Sequence, residues 1–248
     1  MTGGHRVLSV MTMKRPTAMR RDPAPSGSTE IAQTTQRRWE RFAPAGALAF
    51  LLMVVIGAVA VGASSPQSDG PAEEIAAYFA DRQGGHLANA FLVVLGASVF
   101  YPWFLASLWR AMRRIEGDDG ICAPAALVGG ITLLGPLLLQ ATAWGAAALQ
   151  AGEHRDPSVA AGLFDLGNMA FILFPLPAAL LVVGTTLAGR PGTLLPRWLA
   201  RTGLPAAVAL VAGTWFGLAP VCFALFGLWL AVVAVVLIRH GGRPATLG

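Results

Sequence analysis

Charged residues are scarce in this sequence. Asp, Glu, Lys and Arg together make up 12% of the 248 residues, whereas 55% are apolar. A soluble domain usually carries about 25% charged residues. The few charges are gathered into short runs, and the apolar stretches between them are long enough to span a bilayer, which takes roughly 20 residues. This scarcity argues against a soluble domain and predicts an integral membrane protein.

Cysteine is equally scarce. The two residues of this type, Cys122 and Cys222, each lie near the end of an apolar stretch. Neither has other ligand residues at the spacing of a metal site, and two distant thiols do not form a disulfide framework. Phosphate-binding loops, nucleophile elbows and His/Glu zinc motifs are missing as well. We therefore expect no metal and no cofactor.

A net charge of +5 does not indicate nucleic acid here. The basic residues flank the apolar stretches, as they do in the cytoplasmic loops of membrane proteins, instead of following one another along a folded surface. We expect the lipid bilayer as the partner and no nucleic acid.

The apolar stretches predict an all-α bundle of six transmembrane helices over residues 44–240. A disordered basic cytoplasmic tail precedes it at 1–43, and a short cytoplasmic tail follows at 241–248. The predicted spans are 45–62, 87–109, 122–149, 157–189 and two helices within 202–238. The last stretch carries no charge and is too long for one span, so we divide it at the turn signal between Gly217 and Pro220.

The positive charges orient this bundle. With six helices, 16 of the 18 Lys and Arg residues fall on one side, and only Arg82 and Arg155 fall on the other. Cytoplasmic loops carry such an excess, so both termini are predicted to be cytoplasmic, in a multi-pass protein of the bacterial inner membrane. A five-helix arrangement would place the C-terminal arginines outside and is disfavoured.

A short amphipathic helix is predicted in the external loop between the first two spans. It begins at Pro71, which suits a first helical position, and stops at the glycine pair 84–85. Its apolar face is formed by Ile75, Tyr78 and Phe79. That face is suited either to the membrane surface or to the top of the bundle.

Proline and glycine mark special positions within the spans. The prolines at 102, 136, 175 and 177 free backbone carbonyls and predict kinks or a cavity. The glycines at 57, 96, 129 and 130 predict close contacts between helices.

Polar side chains gather toward the predicted external side. These candidate binding residues are His86, Asn89, Gln140, Trp144, Asp165 and Asn168. Asp165 is also the one catalytic candidate, because an acid near a membrane span is costly and is a functional-site hypothesis by default. Asp156 as cap and Pro157 as first residue start its helix early, which moves Asp165 outward to the mouth of a pocket.

Three local sequences stand out, EIAAYFAD at 74–81, LPRWLAR at 195–201 and FGLW at 226–229. With these motifs the chain resembles a group of uncharacterised bacterial six-helix membrane proteins, found mostly in actinobacteria. The resemblance covers residues 44–240 and implies the six-helix topology. The group has no assigned activity, so no function follows from it.

Three functions remain open. The first is a small transport, binding or regulatory protein, whose outward-facing pocket would be lined by Gln140, Asp165 and Asn168. The second is an enzyme acting on a lipid-like substrate such as an isoprenoid, with Asp165 as a buried acid; the lack of a second intramembrane acid disfavours it. The third is a structural or interaction role, as a homo-oligomer formed through Gly/Ala-rich faces.

Overall fold

The structure is a computed structural model that describes residues 42–62, 65–67, 69–152, 154–188 and 195–240. Within these ranges the chain is helical and contains no β-strand. Nearly all of the two predicted tails lies outside the described residues, as does residue 153.

Nine α-helices and one π-helical turn form the described part of the chain. In order they are α1 (Ala45–Val61), α2 (Ala72–Asp81), α3 (Gln83–Leu95), the π turn (Gly96–Phe100), α4 (Tyr101–Glu116), α5 (Cys122–Gln150), α6 (Pro157–Leu173), α7 (Pro175–Leu187), α8 (Arg197–Trp215) and α9 (Ala219–His240).

Four helical segments are long and apolar enough to cross a membrane. They are Gln83–Glu116, Cys122–Gln150, Pro157–Leu187 and Ala219–Arg239. The described residues confirm the all-helical fold, and the four segments support a membrane-embedded protein. Helix α1 is apolar but shorter, at 17 residues, and α8 carries two arginines in its first turns.

The predicted start of the second span is wrong by one turn. The helix begins at Gln83, directly after Arg82, so the glycine pair 84–85 lies inside it and does not stop the preceding helix. A Cβ atom at Gly85 would lie 3.1 Å from the carbonyl carbon of Ala60 in α1. Glycine is required here because two backbones approach closely, which sequence alone does not distinguish from a turn.

A π turn directly precedes Pro102. Proline has no N–H, and in a regular α-helix its ring would collide with the carbonyl four residues earlier. The chain avoids this by widening the preceding turn, so that the N–H of Tyr101 donates to the carbonyl of Gly96, five residues back. Such turns are common at functional sites.

Both boundaries of α5 and the start of α6 match the prediction closely, whereas α8 begins at Arg197, five residues before the predicted start of its span. Asp156 caps α6 by accepting a hydrogen bond from the Ser158 N–H at 3.0 Å, and Pro157 is the first helical residue. The 202–238 stretch is divided as expected, with α8 ending at Trp215 and α9 beginning at Ala219. The prolines at 175 and 177 follow a break at Phe174, where α6 gives way to α7.

Small residues bring the backbones of α5 and α7 into contact and let α8 pack closely against a side chain of α7. A Cβ atom at Gly129 of α5 would lie 2.6 Å from the Leu181 nitrogen in α7, and one at Gly184 of α7 would lie 2.7 Å from the Ala126 nitrogen. Thr186 packs against Gly203 of α8, and its hydroxyl donates to the Val182 carbonyl at 2.7 Å. The predicted close helix contacts at glycine are therefore confirmed on this side of the bundle.

Helix α2 packs onto one end of the bundle, which we call the cap end. Its residues Ile75 and Phe79 are almost fully buried, and they cluster with the end of α5 and the start of α6 through Ala147, Ala148 and Phe164. Of the two positions that the amphipathic face allowed, the structure therefore shows the one on top of the bundle.

Candidate functional site

A cavity of about 250 Å³ lies below α2, between α1, α3, α5, α6 and α9. It extends from the cap end, at Ser65 and Tyr78, to Phe50 and Leu137 within the spans. The lining residues are Phe50, Val54, Ala58, Val61, Gly62, Ser65, Tyr78, Asn89, Val93, Leu137, Gln140, Trp144, Phe171 and Phe223. Among these described residues none carries a formal charge.

Two amide side chains provide polarity within the apolar walls. Asn89 projects from α3 and is buried, and Gln140 projects from α5 and is half-buried. Asn89 lies directly against α1 at Gly57, where an added Cβ would be 3.1 Å from the Asn89 Cα. The glycine thus allows α3 to hold the Asn89 amide beside the cavity.

Trp144 forms the wall between the cavity and the packed helices α5 and α6. Its ring lies against Gly167, and its indole N–H donates to the Phe164 carbonyl at 3.4 Å. The rings of Trp144 and Phe164 are 5.9 Å apart. The indole is therefore held in place by α6 while one edge faces the cavity.

Tyr78 of α2 lines the cavity at its cap end. The Arg82 guanidinium lies over the Tyr78 ring, 4.7 Å from its centroid, and a nitrogen of the same guanidinium is 3.8 Å from an Asp81 carboxylate oxygen. Burial raises the pKa of the Tyr78 hydroxyl, and the Arg82 charge offsets this to a smaller extent. Tyr78 is therefore a neutral hydroxyl at physiological pH.

His86 is buried beside Tyr78 and Trp144 and does not line the cavity. Its ring is surrounded by Phe79, Tyr78 and Trp144, with centroid distances of 4.4, 5.4 and 6.3 Å. Neither ring nitrogen has a hydrogen-bond partner among the described residues. We call Tyr78, Phe79, His86, Trp144 and Phe164 the capping cluster.

The structure brings three of the six candidate binding residues to the cavity. Asn89, Gln140 and Trp144 line it, and His86 lies one ring away. Asp165 and Asn168 are not among the lining residues; Asp165 is exposed and Asn168 is half-buried. The roles suggested for these two residues stay predictions, and the burial that an acid catalyst at Asp165 would need is not observed.

The other eleven lining residues were not among the predicted binding residues. Phe50 and Val54 of α1, Phe171 of α6 and Phe223 of α9 form apolar walls, with the last two rings 5.7 Å apart. Nothing in the sequence separates such a residue from one that faces lipid. Three or more potential metal ligands do not come together anywhere in the described part of the chain.

Comparison with known proteins adds no relative to this picture. No protein-family model matches the chain, and neither a curated protein nor a solved structure is significantly similar to it. The resemblance to actinobacterial six-helix proteins stays a prediction, and function has to be inferred from the geometry alone.

Proposed function

We propose that the chain crosses the bacterial inner membrane six times, with both termini in the cytoplasm. Besides the four long apolar segments, α1 and α8 would each cross; at a rise of 1.5 Å per residue they are about 26 and 28 Å long, close to the roughly 30 Å hydrocarbon core. Arg82 lies at the cap end, and Arg113 and Arg114 close α4 at the opposite end. This asymmetry supports an external position for the cap end.

We further propose that the cavity binds a small molecule and that the protein is a small transport, binding or regulatory protein of the membrane. The observation that carries this proposal is a partly open, mostly apolar cavity that contains two amides and is bordered at its cap end by Tyr78 of the amphipathic helix α2. Ligand sites are typically concave and apolar with a few placed polar groups, at about 300–1,000 Å³. A cavity of about 250 Å³ is suited to a compact ligand.

An apolar photoreactive probe tests the binding proposal. Trifluoromethylphenyl diazirine would be incubated with the protein in nanodiscs and irradiated, and the cross-linked residues identified by mass spectrometry. We expect cross-links at Val93 and Leu137, which line the cavity, in addition to those at lipid-facing residues such as Leu52.

Two matched variants make this test specific. Ala58→Phe places a ring in the cavity and should remove the cross-links at Val93 and Leu137 while leaving those at Leu52. Ala60→Phe makes the same change at an exposed position of α1 that does not line the cavity, and should leave all cross-links unchanged. A wild-type pattern confined to lipid-facing residues would refute the proposal.

The orientation has its own test. A cysteine at Asp118, in the turn between α4 and α5, should react with a membrane-impermeant maleimide only in inverted vesicles, once Cys122 and Cys222 are replaced by Ala. A cysteine at Gln67, between α1 and α2, should react only in right-side-out vesicles. The reverse pattern would contradict the proposed topology.

A further inference from the structure

We infer that the ligand of the cavity is a neutral amphipathic molecule with one hydrogen-bonding head and a short apolar tail. This inference rests on the proposed binding function and specifies its ligand. It depends on three observations: the described lining carries no charge, two amides lie within it, and the nearby Arg82 guanidinium already contacts Tyr78 and Asp81.

The lining excludes an ionic head within the cavity. A charge transferred from water into an apolar space is strongly disfavoured unless an opposite charge or several hydrogen bonds compensate it. Phe50, Val54 and Phe223 offer neither, and none of the other described lining residues is ionic. A carboxylate or an ammonium group would therefore be poorly held here.

The two amides define the place of the head. Asn89 on α3 and Gln140 on α5 belong to neighbouring walls, and each amide offers both donors and an acceptor. A hydroxyl or an amide can satisfy both kinds of group at once, because it also donates and accepts. Beyond them the cavity is walled by Phe50, Leu137 and Phe171, which suits an alkyl or isoprenyl tail.

Arg82 is the charge to consider as an alternative anchor, because it lies near the cap end of the cavity. It does not line the cavity, and its guanidinium is already engaged by the Tyr78 ring at 4.7 Å and by the Asp81 carboxylate at 3.8 Å. An anionic head paired with Arg82 would lie outside the described lining and would compete with the Asp81 carboxylate for the guanidinium. A neutral head held by the two amides needs no contact with Arg82.

Competition between ligands of equal chain length tests the inference in the wild-type protein. The diazirine analogue of octanol is cross-linked to the protein in nanodiscs, and octanol, octanamide, octanoate and octylammonium compete for the cavity cross-links. Their concentrations are corrected for partition into the bilayer. We expect the two neutral competitors to be effective at concentrations at least about tenfold lower than the two ions.

Substitution of the amides identifies the head site. Asn89→Leu and Gln140→Leu should each weaken competition by octanol about three- to tenfold, the effect of one lost hydrogen bond. Gln150→Leu makes the same change near the end of α5, away from the cavity, and should have no effect. Each variant is checked for an unchanged melting temperature before its competition is compared.

The outcomes separate the ligand class from the proposed function. Equal or better competition by octanoate or octylammonium, with cavity cross-links still present, overturns the neutral head and leaves the binding site intact. Loss of cavity cross-links with every probe overturns the site itself. A long-chain probe confined to the bilayer and a short-chain water-soluble probe then identify the source: labelling by the first alone supports a membrane-borne ligand, and labelling by both supports one that also enters from water.

Discussion

The side of this bundle that is closely packed and the side that contains the cavity are lined by different kinds of residue. On the side of α5, α7 and α8, glycine, alanine and threonine let backbones touch, and no space remains between Gly129 and Leu181. On the other side, a cavity lined by the rings of Phe50 and Phe223 lies between α1, α3, α5, α6 and α9, although α1 and α3 themselves approach closely at Gly57 and Gly85. Small side chains let neighbouring helices touch on both sides, and bulky rings line the space that remains on one of them.

The membrane helices and the short helix α2 are held in place by different forces. Within a bilayer, burial of apolar surface from lipid gives little, so helices associate through close packing and hydrogen bonds. Helix α2 lies outside the predicted spans, and its attachment through Ile75 and Phe79 draws on the hydrophobic effect of water. The attachment of α2 and the packing between α5 and α7 should therefore respond differently to substitution.

The largest effect is expected at the capping cluster. Phe79→Ala removes a fully buried ring that contacts both His86 and Phe164, and loss of such a ring costs about 3–5 kcal/mol in a water-facing core. We expect α2 to detach while the spans stay folded, measured as faster amide hydrogen exchange in α2 alone. Phe91→Ala, at an exposed position of α3, is the control. Equal exchange in the two variants would show that the ring does not hold α2.

The next effect is expected on the packed side. Gly129→Val forces a side chain onto the backbone of α7, and overpacking of this kind costs about 1–3 kcal/mol. The melting temperature in detergent should fall clearly. Gly135→Val, in the same helix, places the same side chain where nothing lies within 4 Å, and should shift the melting temperature much less. Similar shifts would mean that the helix contact contributes nothing to stability.

The smallest effect is expected at the start of α6, against which α2 packs. The hydrogen bonds that Asp156 accepts from the Ser158 hydroxyl and N–H lower the pKa of its carboxyl. The folded pKa is therefore below the unfolded value, so the cap stabilises α6 above about pH 4 and is lost as the pH falls through the folded value.

Exchange of the amide protons of Ser158 and Val159 measures this cap. It should speed up below about pH 4, beyond the intrinsic pH dependence of exchange. Asp156→Asn keeps a capping oxygen but has no proton to gain, so its exchange should follow the intrinsic dependence alone. A wild-type profile that matches that of the variant would contradict the assignment of the cap.

Much of the helix pattern could be read from the sequence, for identifiable reasons. Asp156 and Pro157 carry a cap signal that depends only on neighbouring residues, and the turn near Gly217 is marked by glycine and proline. The start of α3 was missed because Gly85 is needed for close packing against the Ala60 carbonyl, a contact between residues distant in sequence. Local signals predict boundaries that local chemistry sets, and they fail where another helix sets them.

The site was predictable only in its polar part. Asn89, Gln140 and Trp144 stand out against apolar neighbours, and the structure brings them to one cavity. Asp165 stands out in the same way but lies on the surface. The sequence could not show this, because it does not say which face of the helix is buried. The phenylalanine walls have no sequence signal at all, since lipid-facing and cavity-facing rings are chemically alike.

The π turn at Gly96–Phe100 has a consequence for the phase of the whole second span. Its buried stripe runs through His86, Asn89 and Val93, then Ala97 and Tyr101, and on to Leu108 and Met112. Steps of four residues drift by about 40° per turn in a regular α-helix, because each residue advances by about 100°. The π turn has more residues per turn, which cancels this drift in the middle of the span. Asn89 before it and Tyr101 after it therefore face the same side of the helix. The turn that precedes Pro102 thus keeps Asn89 and Val93, which line the cavity, on the same face as the buried residues that follow it.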